Sequence, residues 1–296
     1  MIIPPLRIVL SGGGIRSIAH SGALKKLEEV GLLISVKEYI GVSAGALIAF
    51  AIAIGYTIPQ TVIFSKRLDF GSVRTLEPED MFSFFENYGL DTGANLHRLL
   101  ESLLKHRGLS PTLTYKQLRE QLPTAPSLRV FAADLCTVEP REFSEKKTPN
   151  VQLITSLMAS MCVPGYFVPI KDPETGHLLI DGGAFDDFPL SFLPEEEREL
   201  SLGITFSKDH LKLKSIDSMY EYFQQIYACF SLPRTLDILY KNKDKIIIVP
   251  CGEYPMMDFE ASVETKERLV RLGYEAVVSF INGTNKPLIK RRYSVS

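Results

Sequence analysis

The segment Glu38-Tyr-Ile-Gly-Val-Ser-Ala-Gly-Ala-Leu-Ile-Ala-Phe50 constrains this chain more than any other. Its first residues read as a short buried strand and its last as a buried helix, with Gly41-x-Ser43-x-Gly45 as the turn between them. A serine at the apex of such a turn takes a strained backbone conformation, and flanking glycines remove side chains that would collide with it. The helix that follows points its free N–H groups at the serine and favours negative charge there. The five-residue pattern alone arises by chance in roughly one chain in ten of this length. The neighbouring segments must therefore decide between a nucleophile and a plain Gly/Ser turn.

Upstream, Leu6-Arg-Ile-Val-Leu-Ser11 is an apolar run ended by Gly12-Gly13-Gly14, a strand followed by a glycine loop. A helix over Ile15 to Val30 follows, with Gly31 as its C-terminal stop. Strand, loop, helix, strand, elbow, helix is the opening of an α/β fold with a largely parallel sheet. From Pro59 to Glu120 the pattern is helical and loop-rich without an evident strand, a candidate cover, with Thr92 expected to cap a helix through Leu96 and Leu104. Further strands are expected at 128–133, 142–144, 178–180, 200–206 and 245–249, and helices at 151–161, 216–240 and 259–281.

A chain of 296 residues, 45% hydrophobic, is long enough for one large α/β domain or two smaller ones. Its net charge of −2 gives no basic field for nucleic acid. The four cysteines, Cys136, Cys162, Cys229 and Cys251, are widely spaced without a C-x-x-C pair, which argues against a zinc site or a disulfide scaffold. The N-terminus lacks the pattern of a secretory signal, and the most apolar segment, Ala44 to Tyr56, is too short to cross a bilayer. A soluble, cytoplasmic protein that still touches membranes is the expectation.

A serine nucleophile needs a base and a site for the oxyanion. The backbone N–H groups of Gly12, Gly13 and Gly14 can supply that site, and parallel neighbouring strands would bring loop and elbow to one sheet edge. The loop has a rival reading. Gly12-x-Gly14-x-x-Ser17 is one residue short of a dinucleotide fingerprint, with Glu38 placed to contact a ribose. For the base, His210 alone follows Asp181, in a polar segment, while His20, His97, His106 and His177 have no catalytic context. Asp181 ends an apolar strand and precedes Gly182 and Gly183, and burial would raise its pKa toward that of a useful base.

Together these residues resemble the patatin-like phospholipase family. Gly12-Gly-Gly-Ile-Arg-Ser17 with His20-x-Gly22-x-Leu24 is similar to its oxyanion block, and Gly41-Val-Ser-Ala-Gly45 to its elbow. Arg129-Val-Phe-Ala-Ala-Asp134 resembles its core strand, and Ala159-Ser-Met-Cys-Val-Pro164 with Phe167-Val-Pro169 its block of small residues and prolines. Asp181-Gly-Gly183 resembles its Asp-Gly-Gly/Ala motif. The resemblance implies a three-layer α/β/α fold and a lipid acyl hydrolase with neither metal nor cofactor. It implies Ser43 as nucleophile, Asp181 as proton acceptor and Gly12, Gly13 and Gly14 as oxyanion hole. Arg16, Gly41, Gly45, Gly182 and Gly183 would support them. Ser17 replaces the family's usual glycine, and Asp187-Phe-Pro189 its frequent asparagine-proline segment.

The expected organisation is a patatin-like core over residues 6–198. A C-terminal α/β extension over 199–296 would pack on it and end in a short basic tail at 286–296. Expected partners are a phospholipid or neutral-lipid substrate and a membrane surface, with no nucleic acid. Met81 to Tyr88 and Met219 to Phe230 are aromatic-rich stretches for such contact. The alternative is a catalytically silent lipid-binding or scaffold protein of the same fold.

Overall fold

The computed structural model describes residues 4–75, 80–208, 215–217, 219–256, 258 and 260–285. His210 and the basic tail lie outside the described residues. Eight strands form one sheet: β1 (Arg7–Leu10), β2 (Glu38–Val42), β3 (Ser127–Asp134), β4 (Glu139–Ser144), β5 (Ile170–Lys171), β6 (Leu178–Asp181), β7 (Ser201–Phe206) and β8 (Ile246–Val249). Their order is β5-β6-β3-β2-β1-β7-β8, with β4 also paired to β3. Strands β8, β7, β1, β2 and β3 run parallel to their neighbours, whereas β4 and β6 are antiparallel to β3, and β5 to β6.

The β-branched and apolar run of β1 explains its central place. Ile8 and Leu10 belong to one buried apolar cluster and Val9 to a second, so the strand is covered on both faces. The helices are α1 (Ile18–Glu29), α2 (Ala44–Ala53), α3 (Ile58–Arg67), α4 (Asp80–Asn87), α5 (Ala94–His106), α6 (Tyr115–Gln121), α7 (Leu153–Ser160), α8 (Glu195–Glu199), α9 (Met219–Lys241) and α10 (Val263–Ile281). Helices α1 and α2 join the first cluster, and Ile238 and Leu239 of α9 join the second. A mixed, mostly parallel sheet with helices on both faces is the architecture expected from the sequence.

The C-terminal strands are part of this sheet, because β7 pairs with β1 in register from Arg7↔Ser201 to Leu10↔Ile204. Helix α10 lies backbone to backbone on α1. A Cβ at Gly22 would sit 1.8 Å from the Val270 carbonyl oxygen, and one at Gly273 would sit 1.9 Å from that of Ala19. Larger residues at either position would force the two helices apart.

Several boundaries differ from the sequence reading for local reasons. The first helix opens as a 3₁₀ turn, Gly14–Ser17, because the Ile15 N–H is drawn to the Met256 carbonyl at 3.0 Å. Thr92 does not cap α5; Gly93 does, held by the Asp91 carboxylate, which accepts from the N–H groups of Gly93 at 2.7 Å and Thr75 at 2.6 Å. Helix α10 starts at Val263 because the Ser262 hydroxyl accepts from the Thr265 N–H and ends the preceding loop. Strand β4 is longer than expected, and the two-residue β5 carried no readable signal.

Candidate active site

Asp181 and Ser43 are brought together by the two strands that share one edge of β3. Strand β4 occupies the other edge along Arg129–Asp134. On the shared edge β2 pairs with residues 127–131, and β6, running the opposite way, pairs with 132–134. Val42 lies opposite Phe131 and Asp181 opposite Ala132, so the two strands meet end to end. At that junction the Ser43 side chain faces the Asp181 carboxylate, near enough to favour its charged form. Gly182 permits the meeting: a Cβ there would lie 2.5 Å from Val42 Cγ2 and 2.6 Å from the Phe131 carbonyl oxygen.

Ser43 has φ 53° and ψ −133°, a conformation that L-residues avoid, and it is the pivot between β2 and α2. Gly41 and Gly45 accommodate that pivot. A Cβ on Gly41 would stand 2.6 Å from the Ala46 nitrogen, and one on Gly45 2.4 Å from the Ser11 carbonyl oxygen. The Ser43 N–H donates to Ser160 Oγ at 2.9 Å, and Ser160 Oγ donates to the Phe131 carbonyl at 2.7 Å. Ser160, at the end of α7, therefore ties the elbow to β3. It went unremarked in the sequence because it lies in a run of small residues; its only signal is its place in the proline-containing block.

Asp181 is buried, and burial pushes its carboxyl up to about 7. The nearby Ser43 side chain and the Gly183 N–H, which donates to the carboxylate at 2.8 Å, oppose the rise, while the Asp187 carboxylate adds to it. Near neutral pH the group is thus divided between acid and base forms.

The glycine loop lies beside the elbow, since a Cβ on Gly12 would touch Ser43 Cβ at 3.1 Å. The Gly12 N–H donates to the Asp187 carbonyl at 2.7 Å. Among the described residues the N–H groups of Gly13 and Gly14 meet no acceptor, which leaves these two available to an anion. The Phe206 ring, at the end of β7, closes over Gly13, and the Met256 carbonyl closes over Gly14, whose φ is +55°. Arg16 is buried and its Nε donates to the Tyr254 carbonyl at 2.6 Å. The residue thus joins the loop to the C-terminal part of the chain and does not point to solvent.

The four described histidines have partners elsewhere. His20 is buried against the Phe206 ring, with Nε2 2.8 Å from the Ser11 carbonyl, and burial lowers its pKa to about 4. His97 lies against Glu101, His106 against Tyr56 and His177 against Asp134. Glu38, the residue offered to a ribose, pairs with Arg7 at 2.8 Å and Arg129 at 2.9 Å at the start of β2. That is the end of the sheet opposite the glycine loop, so the dinucleotide reading is corrected.

The family model described as Patatin-like phospholipase matches residues 8–193. A protein of Invertebrate iridescent virus 6 named "Probable lipid hydrolase 463L" is 30% identical over 62% of this chain and 61% of its own length. The chain thus spans less than two thirds of that relative. The Bacillus subtilis protein YqhO, uncharacterized, is 26% identical over 92% of this chain and 97% of its own. Among solved structures, VipD from Legionella pneumophila aligns with a TM-score of 0.60 at 18% identity, covering 95% of this chain and 67% of that one.

Proposed function

Given that the chain belongs to the patatin-like phospholipase family, we propose that it is a lipid acyl hydrolase working through a Ser43–Asp181 dyad without metal. The observation that carries this reading is the strained Ser43 set beside the buried Asp181 carboxylate at the abutting ends of β2 and β6. Asp181 in its carboxylate form accepts the hydroxyl proton as Ser43 Oγ attacks the acyl carbonyl carbon. The oxyanion that forms receives the N–H groups of Gly13 and Gly14, while Gly12 packs against the nucleophile. Collapse of the tetrahedral intermediate breaks the ester bond. Protonated Asp181 returns its proton to the departing alcohol, leaving an acyl-serine. Water then attacks, its proton passes to Asp181, and fatty acid leaves as the proton returns to Ser43 Oγ.

Residues 6–198 carry this chemistry, while β7 and β8 complete the sheet and Phe206, Tyr254 and Met256 brace the glycine loop. A lipid substrate requires contact with its aggregate. Phe85, 85% exposed on α4, and Tyr88, 63% exposed just beyond it, suit that role. No helix among the described residues is long and apolar enough to cross a membrane.

The test is release of fatty acid from a short-chain ester and from mixed phospholipid vesicles, with EDTA present, by wild type and Ser43→Ala. Release by wild type alone is the expected result. No release from either folded protein, together with no labelling of Ser43 by a fluorophosphonate probe, would replace it with the silent lipid-binding reading.

A further inference from the structure

Three side chains with good metal-ligand chemistry converge outside the dyad. Asp134 ends β3, Cys136 lies in the turn to β4, and His177 precedes β6. One ring nitrogen of His177, the Cys136 sulfur and a carboxylate oxygen of Asp134 all lie within 4.8 Å of one another. We propose that Asp134, Cys136 and His177 bind a divalent cation of the zinc class and thereby tie the β3–β4 turn to the β5–β6 turn.

The donor set argues for the ion. One thiolate, one imidazole and one carboxylate suit a borderline cation such as Zn²⁺, and do not suit Mg²⁺ or Ca²⁺, which prefer oxygen alone. Three protein ligands leave a fourth position for water. The arrangement is also built in advance. Asp134 Oδ1 accepts from the N–H groups of Cys136 at 2.8 Å and Thr137 at 3.2 Å, which curls the turn and fixes the carboxylate. Asp134 Oδ2 lies 2.8 Å from His177 Nδ1. His177 is held in turn by its backbone, whose carbonyl accepts from the Asp172 N–H at 2.8 Å. Cys136 is a free, exposed thiol, so the ion has a route in. Binding converts that thiol to thiolate and releases its proton to solvent.

The location gives the ion a consequence. Asp134 pairs with Leu179, two residues before Asp181 on the same strand. An ion shared between the two turns would add to the β3–β6 pairing, whose register already sets Asp181 beside Ser43 without it. It would act as a brace, with no part in the hydrolysis.

Zn²⁺ and Co²⁺ added separately to reduced, chelator-treated full-length protein test the site. Calorimetry should show one Zn²⁺ per chain, and Co²⁺ should give a sulfur-to-metal charge-transfer band. Cys136→Ser should abolish that band, and His177→Ala should weaken Zn²⁺ binding at least about tenfold, the scale of losses even for outer ligand partners. Circular dichroism checks that both variants are folded, and His177→Gln replaces His177→Ala if that variant is not. Absence of the band in wild type, its persistence in Cys136→Ser, or unchanged affinity in the His177 variant would overturn the site. Every readout is of binding, so the outcome is independent of whether lipid is hydrolysed.

Discussion

The elbow at Ser43 and the glycine loop at Gly12–Gly14 sit side by side, yet they are held in shape from different distances. The elbow is set by neighbours in its own core: Ala46 against Gly41, Ser11 against Gly45, and Ser160 under the Ser43 N–H. The loop takes one support from within the matched range, the Asp187 carbonyl, and the others from further along the chain: the Phe206 ring and the carbonyls of Tyr254 and Met256. The elbow is thus held within the residues the family model matches, whereas the glycine loop also leans on residues beyond them. The C-terminal part of the chain is therefore part of the catalytic architecture in our reading, although it carries none of the motifs.

The largest effect should come from the dyad itself. Ser43→Ala and Asp181→Asn should each lower kcat by at least about 10⁴-fold in protein that remains folded, the scale for nucleophile and base. Steady-state ester hydrolysis with circular dichroism as the folding check measures this. Residual turnover above that limit in either variant would detach the elbow from the chemistry.

Next in size is the loop. Gly14→Ala places a methyl group 2.0 Å from the Met256 carbonyl oxygen, at a φ of +55° that alanine resists. The loop must then move away from its C-terminal brace, and kcat should fall about 10²–10³-fold with KM little changed, as when an oxyanion donor is lost. Fluorophosphonate labelling and kinetics of this variant break the comparison if activity survives, since the loop would then need no remote support.

A pH series sharpens the same contrast at the base. With Asp181 titrating at about 7, kcat/KM should rise through that pH as the carboxylate forms. Stability should run the other way. The unfolded chain loses this proton near its ordinary value of 3.8, and the folded chain holds it until about 7. Between those values the folded state binds more protons, so its stability falls as pH rises, by up to about 4 kcal/mol. Asp181→Asn removes that penalty. Urea unfolding should find it more stable than wild type at pH 8, with the advantage gone at pH 4.

These differences follow what the sequence could and could not disclose. Strand β1, the glycine loop, β2 and the elbow were legible because glycine spacing and apolar period are properties of residue type. Asp181 was legible because a carboxylate between an apolar run and two glycines is an unusual neighbour set. The brace was not, because Tyr254 and Met256 act through carbonyl oxygens that every residue carries. Ser160 is one small residue among several, and β5 is too short to show a period. Glu38 misled for the converse reason: its spacing from the glycines fits a ribose contact, but strand direction sends it to the opposite end of the sheet, where Arg7 and Arg129 take it.

The smallest effects compare one support from each side. Ser160→Ala removes the acceptor of the Ser43 N–H and should cost about 1–3 kcal/mol of stability, because that group is left unpaired. Phe206→Leu keeps a buried apolar side chain but removes the ring that closes over Gly13 and lies 4.6 Å from the His20 ring, centroid to centroid. Its stability cost should be about 1–2 kcal/mol, from the ring atoms removed and the small cavity left. The two should separate in amide hydrogen exchange. Ser160→Ala should speed exchange at Ser43 and leave Ile15 alone, whereas Phe206→Leu should speed exchange at Ile15, whose N–H donates to the Met256 carbonyl. Equal acceleration of both amides in either variant would mean that elbow and loop are one cooperative unit, and that their separate supports are separate only in the static picture.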